Sequence, residues 1–234
     1  MTTASDTTFL LDVDNTLLDN DRVQADLRQH LASEFGPEAR DRYWEIFEAL
    51  RVELGYADYL GALQRYRLDA LNDPRLLQMS EFLVDYPFAD RLYPDAIRAI
   101  SYFRRWGLTV ILSDGDVVFQ PRKIQRSGLW DAVEGRVLVY IHKERMLNHV
   151  EQRYPARQYV MVDDKLRILS AMKQILQDRL ITVFARQGHY ALDPHNLATY
   201  PSADLTIEHI GDLINSDLRT LPGFANQSIQ RETI

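Results

Sequence analysis

A chain of 234 residues that is 46% apolar and 26% charged can build a packed core, as one large domain or a core with a smaller insert, which excludes a disordered chain. Its formal net charge of −7 at pH 7 argues against nucleic acid or an anionic membrane as the main partner, so any phosphorylated substrate must be drawn in by a local basic group or cation. With no cysteine there is neither a disulfide nor thiolate chemistry, and zinc would have to rely on six scattered His residues with carboxylates.

The N-terminal MTTASDTT has neither a basic start nor an apolar run, and no stretch approaches the roughly 20 apolar residues of a membrane helix, so a soluble cytoplasmic protein is expected. The first strand is expected at FLLDVDNT, residues 9–16, where three apolar residues run into two carboxylates. Alternation along an extended strand puts Asp12 and Asp14 on one side of its exposed end. Like charges so close are tolerable if a cation lies between them or one holds a proton. A strand running into an acidic turn is the plainer alternative.

From there the pattern is helical for about seventy residues. Asp19 to Asp21 offer N-caps for a helix that stops at Gly36-Pro37. A second helix over 37–54 carries Tyr43, Ile46, Phe47 and Leu50 at three- and four-residue spacing, and two more are expected over 57–66 and 74–83. Residues 19–87 thus read as an all-helical insertion in a core made of residues 1–18 and 88–218, with 219–234 as a loose tail.

Beyond Tyr93 helices and strands alternate. A helix over 96–106 stops at Gly107, and short apolar runs follow at 108–112, 137–141, 159–162, 180–184 and 205–207, separated by helical segments over 118–127, 143–154 and 165–177. Near-continuous hydrophobic strands alternating with helices imply an α/β fold, a doubly wound parallel sheet covered on both faces. Ligands of such sheets sit beyond the carboxyl ends of the strands, where strand order reverses. Four strands here end in groups suited to phosphate or metal: Asp12 and Asp14; Ser113 and Asp114; Lys143; Asp163 and Asp164.

Each group alone has a dull explanation, as a helix cap or a solvated charge; jointly, on successive strand ends, they point to a site. Clustered carboxylates without soft ligands suit a hard cation, Mg²⁺ above all. A carboxylate can also act as a nucleophile, with a second carboxylate moving protons and a lysine and a hydroxyl holding the phosphoryl oxygens.

The stretches DVDNT, ILSDG, HKE and VDDK resemble, in order, the four motifs of the haloacid dehalogenase superfamily, and the helical insert resembles its helical cap. The resemblance spans roughly residues 8–215 and implies a Rossmann-like core. It also implies that Asp12 is the nucleophile, Asp14 the general acid and base, and Ser113 and Lys143 the phosphoryl-holding groups, with Asp114 beside them. Mg²⁺ would be held by the Asp12 carboxylate, the Asp14 backbone carbonyl, Asp164 directly and Asp163 through water. Members that cleave carbon–halogen bonds lack an Asp at the Asp14 position, so the resemblance implies a phosphatase of a small phosphorylated metabolite. A phosphomutase of a sugar phosphate and a non-catalytic binding protein are the alternatives. Arg51, Tyr43, Tyr56 and Arg65 on the insert are candidates for substrate contact, Arg51 as partner of a second anionic group. His189 and His195 are expected to be structural, and nothing in the chain speaks to its oligomeric state.

Overall fold

The computed structural model describes residues 5–71, 73–216 and 218; the expected tail lies outside them. The first strand, β1 (Ser5–Leu11), runs through the middle of a six-stranded parallel sheet. Four helices follow: α1 (Asn20–Phe35), α2 (Pro37–Leu54), α3 (Tyr59–Tyr66) and α4 (Leu76–Asp85). The remaining chain supplies α5 (Ala96–Phe103), β2 (Leu108–Asp114), α6 (Phe119–Arg126), α7 (Leu129–Ala132), β3 (Val137–Tyr140), α8 (Leu147–Arg153), β4 (Ala156–Asp163), α9 (Leu166–Leu176), β5 (Leu180–Ala185), α10 (Gly188–Leu192), α11 (Pro194–Thr199) and β6 (Leu205–Ile207). Strand order is β3-β2-β1-β4-β5-β6, so order reverses between β1 and β4.

Both faces of the sheet are covered, which the strand pattern requires. Phe9, Leu11, Ile111 and Val162 face a core shared with α5 and the inserted helices, where Phe9 stacks on Phe103 at 4.9 Å. Leu10, Val110 and Met161, on the other face, pack with α8 and α9.

Local chemistry sets the boundaries. Asp19 caps α1 through the Arg22 N–H at 2.8 Å, and Pro37 occupies the first turn of α2, where its missing N–H costs nothing. The third helix starts at Tyr59, two residues later than expected, because Asp58 accepts the Gly61 N–H at 2.6 Å as its N-cap. The single helix expected over 143–154 is instead a 3₁₀ turn, Lys143–Arg145, followed by α8. The Lys143 N–H is taken by the Asp114 carboxylate at 2.7 Å, which holds that turn against the end of β2.

The chain leaves the sheet for the helices at Leu18 and returns at Leu92, and these two residues form an antiparallel bridge. Asp19 N–H donates to the Arg91 carbonyl at 2.7 Å and Tyr93 N–H to the Leu17 carbonyl at 3.0 Å, so the two crossings make a short ribbon. No helix of the described residues is long and apolar enough to cross a membrane.

Candidate active site

Register brings the strand ends together. Leu11 is level with Ile111 on one side and Val162 on the other, so Asp12 lies beside Asp163 at the point of strand reversal, with Ser113 one step further along β2. The Asp12 N–H continues the ladder by donating to the Val162 carbonyl at 3.0 Å. Beyond Asp14 the chain turns through Asn15, whose φ of 60° is one that Asn tolerates. The Asn15 side chain accepts the N–H groups of Asn20 and Asp21 at 3.0 and 3.2 Å, which pins the turn to the start of α1.

Lys143 sits at the centre. Its buried ammonium touches the Asp12 carboxylate and lies 2.7 Å from Asp163. Burial alone would depress its pKa, but Asp12, Asp163 and Asp114 outweigh that and hold it above the ordinary lysine value. One oxygen of Asp12 is thereby engaged; among the described residues the other meets only the Thr16 hydroxyl, at 3.4 Å.

Asp12, Asp163 and Asp164 are all buried, and a carboxylate oxygen from each lies within 4.8 Å of the others. Burial pushes Asp163 and Asp164 above the usual carboxylate range, with Lys143 and Lys165 pulling the other way. Asp163 has further partners, since its Oδ1 accepts the Lys165 N–H at 2.8 Å. Asp164 is different: neither of its oxygens has a hydrogen-bond partner among the described residues, and the nearest cation, Lys165 Nζ, is 3.7 Å away. Buried carboxylate oxygens so placed are costly unless a cation meets them, and three hard oxygen ligands fit Mg²⁺.

Asp14 stands apart from this trio, its side chain one-quarter exposed. Its carboxylate accepts from Lys123 Nζ at 2.7 and 3.0 Å and from Gln120 Nε2 at 3.3 Å, and Gln120 also donates to the Ser113 hydroxyl at 3.0 Å. Asp114 turns its Oδ1 to the Lys143 N–H, and burial pushes its carboxyl up to about 6.

A cavity of about 540 Å³ opens beside this cluster, with Asp14, Asp114, Gln120 and Lys165 in its wall, while Asp12, Ser113, Lys143, Asp163 and Asp164 lie behind that wall and do not line it. Arg51 and Tyr56 line it from the insert, Arg51 ion-paired to Glu48 at 2.7 Å and donating to the Tyr190 hydroxyl at 2.5 Å. Tyr43 is elsewhere, fully buried with its hydroxyl donating to the Tyr59 carbonyl at 2.8 Å, and Arg65 is spent on Glu53 at 2.9 Å. His189 reaches the wall and pairs with Asp21 at 2.6 Å; His195 does not line the cavity.

The two groups that hold the Asp14 carboxylate, Gln120 and Lys123, escaped the sequence reading. They share a buried face of α6 with Phe119 and Ile124, but nothing local in the sequence marks a helical lysine or glutamine as buried.

Comparison with known proteins gives a consistent picture. Residues 7–175 match the family model described as haloacid dehalogenase-like hydrolase. A haloacid dehalogenase-like hydrolase from Burkholderia xenovorans is 66% identical, with a TM-score of 0.87 over 92% of this chain and 97% of that one. Two further crystal structures share the fold at a TM-score of 0.59: L-2-haloacid dehalogenase from Xanthobacter autotrophicus, 18% identical over 89% of this chain and 96% of that one, and a HAD-hydrolase of Bacillus subtilis bound to magnesium, 16% identical over 89% and 97%. No curated protein matches the sequence.

Proposed function

The chain belongs to the haloacid dehalogenase-like hydrolases, and within that family we propose that it is a Mg²⁺-dependent phosphatase of a small phosphorylated metabolite, working through an aspartyl-phosphate. The observation that carries this reading is Asp14: a second carboxylate, in the cavity wall two residues from Asp12 and tied through Gln120 to the Ser113 hydroxyl. Cleavage of a carbon–halogen bond releases halide, which needs no proton. An alkoxide leaving from phosphorus needs one, and a side-chain carboxylic acid poised at the cavity can supply it, becoming the carboxylate that later takes a proton from water.

In the proposed reaction the Asp12 oxygen that Lys143 leaves free attacks phosphorus and the ester P–O bond breaks, with Asp14 giving its proton to the departing oxygen. Asp14, now a carboxylate, takes a proton from water, and the resulting hydroxide attacks the acyl phosphate and releases inorganic phosphate, restoring Asp12. Lys143 balances charge on nucleophile and phosphoryl group throughout, while the Ser113 hydroxyl holds a phosphoryl oxygen. Asp12, Asp163 and Asp164, with the Asp14 backbone carbonyl, would hold Mg²⁺, which supplies positive charge against the phosphoryl oxygens. The roughly 540 Å³ cavity suits a small metabolite, and Arg51 in its wall is placed to meet a second anionic group on it.

The test is phosphate release from a panel of small phosphomonoesters, with Mg²⁺ and with chelator, for wild type and Asp12→Asn. The expected result is release that requires both the metal and Asp12, with the variant melting like wild type. Unimpaired release by Asp12→Asn would remove the mechanism. Halide release from 2-haloacids without phosphate release would move the chain to the dehalogenating branch.

A further inference from the structure

We propose that Lys123 is a positioning residue for Asp14, fixing the carboxylate that handles the leaving-group proton and tying its direction to the base of the inserted helices. The proposal rests on the phosphatase reading and goes beyond it, because none of the four motifs contains Lys123.

Three observations carry it. First, Lys123 has no solvent exposure, yet every proton of its ammonium is used: two contacts go to Asp14, at 2.7 and 3.0 Å, and one to the Asn20 side-chain amide oxygen, Oδ1, at 3.0 Å. Second, the ammonium sits among aromatic rings, 5.3 Å from the centre of Phe119 and 5.9 Å from that of Tyr59. An apolar side chain would fill such a place without desolvating a charge, so packing alone does not call for a lysine there. Third, the partners belong to different parts of the chain. Asn20 is the first residue of α1 and Tyr59 the first of α3, and the Asn20 amide donates to the Tyr59 hydroxyl at 3.5 Å. Gln120, one turn back on α6, grips the same carboxylate, and its own place is kept clear by Gly115, where a Cβ would come within 2.7 Å of the Gln120 side chain. Asp14 is thus aimed by two neighbouring groups of one helix. Of these Lys123 alone also reaches the insert.

A positioned general acid matters most when the leaving group is poor, which gives a readout that a merely structural lysine would not move. The experiment compares kcat/KM on phenyl phosphate and p-nitrophenyl phosphate, similar rings with a poor and a good leaving group, for wild type, Lys123→Met, Lys123→Arg, Asp14→Asn and the double variant Asp14→Asn/Lys123→Met. Since kcat/KM reports phosphoryl transfer to Asp12, the loss in Lys123→Met is expected to be on the order of 10²-fold for phenyl phosphate and under about tenfold for p-nitrophenyl phosphate. Lys123→Arg recovers part of that loss. The double variant, which removes both charges and so leaves none unpaired in the interior, is expected to match Asp14→Asn alone. Equal losses on the two esters, or a double variant whose loss is the product of the single losses, would overturn the assignment. Wild type that releases phosphate from neither ester would instead overturn the phosphatase reading, and the role of Lys123 with it.

Discussion

Replacing Asp114 by Asn should make the metal-free protein more stable at neutral pH while leaving it unchanged in acid. Asp114 ends β2, and burial pushes its carboxyl from 3.8 up to about 6 against the pull of Lys143. A carboxyl whose folded pKa lies above its unfolded value binds more protons folded than unfolded, so stability falls as pH rises through that interval. A rise of about two pH units, at about 1.36 kcal/mol each, amounts to about 3 kcal/mol. That penalty is absent below about pH 4, grows between pH 4 and 6, and is complete above. Asparagine keeps an acceptor for the Lys143 N–H and cannot ionise. Urea unfolding in EDTA at about pH 3.5, 5 and 7.5 measures the difference. The two proteins should coincide at the lowest pH and separate by up to about 3 kcal/mol at the highest, less whatever solvent screens. A gap that does not change with pH would refute the desolvation argument, and a variant less stable at about pH 7.5 would show that attraction to Lys143 outweighs burial.

The metal reading predicts that Mg²⁺ raises the melting temperature of the wild type but not of Asp164→Asn, by about 2.7 kcal/mol of stability at a hundredfold excess over Kd. In EDTA the same variant should be at least as stable as wild type, because both carboxylate oxygens of Asp164 are buried without hydrogen-bond partners among the described residues; a marked loss of stability there would count against an orphaned carboxylate. Gly107→Ala tests the packing of β1: its Cβ would lie 2.3 Å from the Thr7 carbonyl oxygen, backbone that cannot turn aside, so a loss of about 1–3 kcal/mol is expected. An unchanged thermal melt would mean that the turn into β2 can shift.

Much of this architecture was legible because hydrophobic runs and their polar ends are local signals. The strand ends at Asp12, Ser113 and Asp163 could be read one after another, and parallel pairing then aligns them without further information. Lys123 was hidden for the opposite reason. A lysine in a helix reads as a solvated charge, and only the arrival of Asp14 and Asn20, more than 100 residues away in sequence, makes its burial sensible. The cavity wall from His189 to Tyr200 was equally opaque, since it follows β5 in two short helices with little periodicity of their own. The division of residues 143–154 into a 3₁₀ turn and a helix also depends on a remote group, the Asp114 carboxylate.

The ribbon at Leu18 and Leu92 has a consequence for how such a chain can change over time. The ends of the helical segment are hydrogen-bonded neighbours, so whatever lies between them is, to the sheet, a loop with a fixed short span. The entropic cost of closing such a loop grows only slowly with its length. Helices could be lengthened, lost or exchanged at that point while the strand ends keep their register. The residue that would notice first is Asn20, just beyond the ribbon and in contact with Lys123. A chimera carrying foreign helices would therefore need an amide or another acceptor at that one position, more than any match of the helices themselves, to keep the lysine and its carboxylate in place.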